Sequence, residues 1–288
     1  MRPVATTYED DLRLAHVMAD QADSLTMSRF AATDLVVTAK SDLTPVTDAD
    51  NATEEVLRST LSRARARDAI LGEELGATGH GPRRWVLDPI DGTKNFVRRV
   101  PVWATLIGLM DGSEPVVGLV SAPALGRRWW AAKGTGAWTG KSLSAATRCR
   151  VSDVDNLSDA SLSFSSMSGW EEQRRLDGFL DLTRKVSRTR AYGDFWSYML
   201  VAEGAVDIAC EPEVSLWDLA ALAVIVTEAG GAFTDLTGRP GPDGGSAVGS
   251  NGPLHEQVLA LLAPTADIDV DGDVPAGPLP DGDVTAAW

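Results

Sequence analysis

The sequence predicts a layered α/β or α+β protein, and three observations carry that expectation. Hairpin-like apolar runs fill the first half, strands alternate with helices in the second, and no segment repeats. The chain has 288 residues, 44% of them hydrophobic and 23% charged, enough to bury one large core or two intimate halves. The character of the sequence changes near Thr147. The expected organisation is an N-terminal α+β half over 1–146, an α/β half over 147–262 and a disordered acidic tail over 263–288.

Each element has a local reason. Tyr8 to Leu35 places Leu12, Leu14, Ala15, Met18, Ala22 and Leu25 at three- and four-residue spacing, which predicts a helix. Asn51 to Arg67 predicts a second, with acids before its start and arginines toward its end, as the helix dipole favours. Trp85 to Leu87 reads as a short buried strand. Thr105–Met110 and Val116–Ser121 flank a turn and read as a hairpin, and Arg128–Ala132 with Ala137–Thr139 as another. Beyond them, Ser161–Ser165 and Asp207–Cys210 read as strands, and Trp170–Arg184 and Trp196–Gly204 as helices. Asp218–Glu228 is a strongly apolar helix stopped by Gly230-Gly231, with Ala232–Asp235 the strand after it.

Charge removes several functions. A formal net charge of −15 opposes a nucleic-acid-binding face, and no run approaches the roughly 18 apolar residues of a membrane span. The N-terminus lacks the basic start and apolar centre of a secretory signal, so a cytoplasmic location is expected. The two cysteines, Cys149 and Cys210, lack metal-type spacing and read as reduced buried thiols. From Pro264 onward, aspartates and prolines accumulate without a lysine or arginine, a composition that cannot offset its ordering entropy. The run Asp267 to Asp273 faintly resembles a calcium loop but lacks the closing glutamate.

Chemistry concentrates in Trp85-Val86-Leu87-Asp88-Pro89-Ile90-Asp91-Gly92-Thr93-Lys94-Asn95-Phe96. Pro89 bends the chain so that Asp91 converges on Asp88. Two close carboxylates repel unless a cation joins them. No histidine stands near, so the donors are all oxygen, which suits Mg²⁺ or Mn²⁺ better than Zn²⁺. Gly92 and Thr93 supply free amides for phosphate, and the Thr93 hydroxyl can hold a water against Asp48. Glu73 and Glu74 follow Gly72, and Asp218 opens an apolar helix. Taken singly, Asp218 and Asp48 read as helix caps, and the two glutamates as solvated turn residues. Together the set is equipment for hydrolysing a phosphate ester.

These blocks resemble the inositol monophosphatase family. Lys40 to Asp50, Gly72-Glu73-Glu74, Trp85 to Phe96 and Trp217-Asp218 through Gly231 match its motifs in order, within a similarity spanning Tyr8 to Leu262. The resemblance implies a layered αβαβα sandwich of the inositol monophosphatase and sugar phosphatase type, dimeric, acting on a small phosphate ester. It implies two or three Mg²⁺ ions, with Mn²⁺ able to substitute, held by Glu73, Asp88, the Ile90 carbonyl, Asp91 and Asp218. It assigns catalysis to Asp48, Thr93, Asp91 and Glu73, and phosphate binding to the Gly92 and Thr93 amides. In-line attack by a cation-activated water, with no phospho-enzyme, follows from the same resemblance.

Within the family, Lys94 to Thr105, Tyr192-Gly193-Asp194-Phe195-Trp196 and Glu211-Pro212-Glu213 resemble the actinobacterial histidinol-phosphatase branch. That substrate carries an ammonium and an imidazole, and Asp194 and Glu211 would place carboxylates beside them. The alternatives are inositol 1-phosphate, fructose 1,6-bisphosphate or 3′-phosphoadenosine 5′-phosphate as substrate, or a scaffold kept as a metal- or phosphate-binding regulatory module. Surface placement is the plain alternative for Asp194 and Glu213, and packing for Trp103 and Trp196. Lys40 is expected to pair with the acids.

Overall fold

A computed structural model describes residues 8–40 and 44–264; the expectations of a disordered tail and a calcium loop lie outside the described residues. The order is α1 (Glu9–Arg29), β1 (Val37–Ala39), β2 (Pro45–Thr47), α2 (Asp48–Ala64), β3 (Ala69–Gly72), β4 (Gly76–Thr78), β5 (Arg83–Asp91), α3 (Thr93–Val97), β6 (Ala104–Asp111), β7 (Glu114–Ala122), β8 (Arg127–Ala132), β9 (Ala137–Ser142) and β10 (Ala145–Arg148). Then follow β11 (Ser161–Ser163), α4 (Leu176–Lys185), β12 (Arg188–Arg190), α5 (Asp194–Ala202), β13 (Ile208–Glu211), α6 (Leu216–Glu228), β14 (Ala232–Thr234), β15 (Ala247–Ser250) and α7 (His255–Leu261).

Strands β3 to β10 form an eight-stranded sheet in the order β10-β9-β8-β7-β6-β5-β3-β4, and β11 to β15 a five-stranded sheet in the order β12-β11-β13-β15-β14. Helices α1 and α2 cover one face of the larger sheet. Helices α5 and α6 lie between the sheets, and α7, with α4 packed on it, covers the far side of the smaller one. The result is the αβαβα stack that the resemblance implies.

Sequence explains the central layer. Helix α6 is apolar all round, as a helix covered on both sides must be. It approaches the sheet closely because Gly108 of β6 and Gly118 of β7 stand opposite each other in the ladder. A Cβ on Gly118 would lie 2.3 Å from the Ala221 carbonyl oxygen, and one on Gly108 would lie 2.9 Å from the Ala220 Cβ. Small residues on both surfaces therefore set the depth of the helix whose first turn carries Asp218.

Helices α2, α5 and α6 depart from the expected bounds by two or three residues, and α1 and α4 by more. Helix α1 stops at Arg29 because Phe30 turns extended and Ala31 takes a left-handed φ of 62°. Helix α4 starts at Leu176, after turns that include Arg174 at φ 54°. Strand β5 is longer than expected and runs through Pro89, where the lost N–H coincides with a register shift against β6. Both cysteines are free and buried. Among the described residues no helix is long and apolar enough to cross a membrane.

The packing of α6 is testable. Gly118→Ala should lower unfolding stability by about 1–3 kcal/mol through overpacking, read as a reduced urea midpoint. A midpoint equal to that of the parent protein would contradict the close approach.

Candidate active site

Parallel pairing of β3 with β5 brings two acidic turns out at the same edge. Gly72 pairs with Leu87, and the Glu73 amide donates to the Leu87 carbonyl at 3.1 Å. Glu73 thus emerges beside Asp88. The bend at Pro89 is held by the Thr105 hydroxyl on the Pro89 carbonyl at 2.8 Å, and by the Ile90 amide on Asp88 at 3.0 Å. Asp91 accepts the Phe195 amide at 2.7 Å, which ties β5 to the start of α5.

Asp218 arrives from α6. It is the third residue of that helix, not its cap: Ser215 is the cap, and its amide donates to Asp218 Oδ2 at 2.7 Å. Capping therefore engages one oxygen. Candidate ligand atoms of Asp88, Asp91 and Asp218 all lie within 4.8 Å of one another. Asp88 is only 1% exposed.

This crowding shows in the protonation behaviour. Burial, then the charges of Glu73, Asp91 and Asp218, raises the Asp88 pKa well above the usual carboxylate range. Burial followed by Asp194 and Asp218 does the same to Asp91. Asp218 is pushed up to about 7, mainly by burial and against the pull of its Ser215 hydrogen bond. Lys40 answers part of this charge, reaching Glu73 at 2.6 Å and Glu74 at 2.7 Å as expected. Among the placements implied for a cation, Ile90 offers a carbonyl that already accepts the Thr93 hydroxyl at 2.9 Å. The donor set is all oxygen and rich in carboxylates, with Asp88 buried and Glu73, Asp91 and Asp218 partly buried, and it fits hard divalent cations.

One assignment needs correction. The hydroxyl of Thr93 faces Asp50 at 3.3 Å, not Asp48. Thr47 caps α2, so Asp48 is the first helical residue and turns away from Thr93, its side chain 40% exposed and paired through Oδ2 with Arg29 at 2.6 Å. Asp50 is the third helical residue and folds back into a capping box, accepting the Thr47 amide at 2.8 Å and hydroxyl at 2.6 Å. It is fully buried, and burial with the Glu73 charge pushes its pKa up to about 6.

Reading by sequence also missed Glu54, one turn along α2. Its buried carboxylate accepts the Glu74 amide at 2.7 Å and the Leu75 amide at 3.2 Å, and pairs with Arg58 at 2.7 Å. It presses so closely on Gly72 that a Cβ there would sit 1.9 Å from Glu54 Oε1. The repeat of acids at Asp50 and Glu54, on one helical face, was the available signal.

Gly92 holds φ at 84°, and a Cβ on it would press on the Val102 carbonyl at 3.1 Å and on Asp194 at 3.3 Å. With Thr93 it lines a cleft of about 1090 Å³ that also exposes Lys40, Glu73, Asp88, Asp91 and Asp218. Asp194 and Glu211 line the same cleft, so neither is a stray surface acid. Asp194 begins α5 at φ 47°, an unfavourable conformation for a residue with a Cβ. Its amide donates to Ser165 Oγ at 2.8 Å, and that hydroxyl donates to Glu211 at 2.6 Å. Burial pushes Glu211 up to about 7. Trp103 packs inside the core between Phe30 and Phe96, and Trp196 packs on Tyr192.

Fold and cleft together define a class: an αβαβα protein whose acid-lined site is fit for hard cations. A model of the inositol monophosphatase family matches residues 8–266. A histidinol-phosphatase of Streptomyces coelicolor is 67% identical over 259 residues, covering 88% of this chain and 97% of its own. One from Mycobacterium tuberculosis is 59% identical over 254 residues, covering 88% and 98%. Among solved structures, an inositol monophosphatase of Zymomonas mobilis superposes with a TM-score of 0.78 at 32% identity, covering 88% of this chain and 98% of that one. The chain belongs to the inositol monophosphatase family.

Two measurements test the site. Asp50→Asn should lower kcat by about 10²-fold or more, while Asp48→Asn stays within a few-fold of the parent; the reverse order would restore Asp48. The second concerns pH. Raised carboxylate pKa values mean that the folded, chelator-treated protein binds more protons than the unfolded chain between the ordinary range near 4 and about 7. Its stability should therefore increase as pH falls from 8 to 6, and added divalent cation should raise the thermal midpoint more at pH 8 than at pH 6. A pH-independent increment would contradict the cluster's raised pKa values.

Proposed function

We propose that the chain hydrolyses L-histidinol phosphate to L-histidinol and inorganic phosphate. The observation that carries this reading is the joining of Asp194 and Glu211, through Ser165, at the edge of the carboxylate cluster. A phosphate held at the cluster would direct a short leaving alcohol toward these two acids, which suit an ammonium. The two histidinol-phosphatases that resemble this chain over nearly their whole length support the same substrate.

Glu73, Asp88, the Ile90 carbonyl, Asp91 and Asp218 would hold Mg²⁺, with Mn²⁺ able to substitute. When bound, the ions neutralise phosphate charge and lower the pKa of water. The chain's own groups do the rest. Gly92 and Thr93 amides orient the phosphate at the start of α3. With its hydrogen turned from the Ile90 carbonyl to Asp50, the Thr93 hydroxyl donates to that carboxylate and keeps its lone pairs free to accept a hydrogen bond from the attacking water. Glu54 keeps the Glu73 turn in place, and Lys40 limits repulsion within it. A cytoplasmic homodimer belongs to the same reading and rests on the family resemblance.

The charge of the cleft argues against bisphosphates. Beyond the cation-ligand set, Glu172, Asp194, Glu211 and Glu213 line it against Lys94 and a Lys40 already paired with Glu73 and Glu74, so a second phosphate would meet mainly carboxylates. Under Mg²⁺, kcat/KM for histidinol phosphate should exceed that for inositol 1-phosphate, fructose 1,6-bisphosphate and 3′-phosphoadenosine 5′-phosphate by about tenfold or more. Preference for any of those three overturns the assignment.

A further inference from the structure

Tyr198 is a buried group in the cleft that the reading above does not use. It lies on α5 one turn beyond Asp194, with its ring beside Phe233 at a centroid distance of 5.6 Å. On another side is Gly249 of β15, where a Cβ would come within 2.9 Å of the ring. Strand β15 thus omits a side chain to seat this tyrosine.

The residue is 1% exposed, its hydroxyl has no hydrogen-bond partner among the described residues, and it lines the same cleft as Asp91, Glu211 and Asp218. Leaving a buried hydroxyl unpaired is costly, so such a group calls for a partner. Burial and the surrounding carboxylates keep the phenol protonated. It is a neutral donor in a wall of acceptors. Ionised Asp194 and Glu211 can accept from an ammonium, but neither can serve a nitrogen lone pair. A neutral imidazole presents one such lone pair.

We propose that the Tyr198 hydroxyl donates a hydrogen bond to the imidazole nitrogen of the leaving alcohol, making Tyr198 a specificity-determining residue. This rests on the histidinol phosphate reading. The carboxylates would then select the amine and Tyr198 the ring.

Tyr198→Phe removes only the hydroxyl, and three substrates separate the possible contacts. Histidinol phosphate has both an ammonium and an imidazole, phosphoethanolamine has an ammonium without an imidazole, and 4-nitrophenyl phosphate has neither. The kcat/KM ratio of histidinol phosphate to each of the other two should fall about tenfold in the variant, mainly through KM. The thermal midpoint of the unliganded protein should stay level or rise, because an unpaired buried hydroxyl is gone. Unchanged ratios, or a midpoint several degrees lower, overturn the proposal. If parent enzyme prefers histidinol phosphate and the variant keeps that preference intact, the proposal fails alone; without preference in the parent, the substrate reading fails with it.

Discussion

Mutual repulsion among buried carboxylates at the end of β5 is the constraint on which the rest of the site depends. Candidate ligand atoms of Asp88, Asp91 and Asp218 lie within 4.8 Å of one another, and Glu73 emerges beside Asp88. In an interior of low dielectric this arrangement is unfavourable until protons or cations join it. The fold sustains it through a set of fixed donors: the amides of Ile90, Phe195 and Ser215 and the ammonium of Lys40. Each holds an acid by one oxygen, so the crowded geometry is in place before any ligand arrives.

Close packing then turns local geometry into a shared site. Parallel pairing of β3 and β5 sets Glu73 beside Asp88, and the Gly108–Gly118 pair lets α6 sink far enough to deliver Asp218. Helix α5 does two tasks with one turn, since its Phe195 amide donates to Asp91 and its first residue, Asp194, lines the cleft. In the proposed reading, chemistry at the phosphate and selection of the alcohol would be coupled through a helix start held at a strained φ of 47°.

Much of this was legible in the sequence. Asp88 to Thr93 is contiguous, and a strand interrupted by proline before a glycine carries its geometry with it. The layered fold followed from hairpins giving way to strand–helix alternation. The Thr93 partner was not found, because Asp48 and Asp50 look alike as letters. Helical geometry separates them: the first residue of a helix points away from its cap, and the third returns to it. Thr47-Asp48-Ala49-Asp50 contains that capping box, so the correct acid could have been read from local rules. Asp218 obeys the same rule after Ser215. Glu54 was harder to see, because its contacts with Gly72 and the Glu74 amide lie across the chain. The Tyr198 environment, built from β15 and α5, has no local signature at all.

The central claim is that the cluster is a cation site whose raised proton affinity the cation must overcome. Calorimetric titration of the chelator-stripped protein with Mg²⁺ at pH 7, in buffers of different ionisation enthalpy, counts the protons exchanged on binding. Net proton release that fades at pH 9 is the predicted result. Tight binding with no proton release at pH 7, or no binding at either pH, would contradict it.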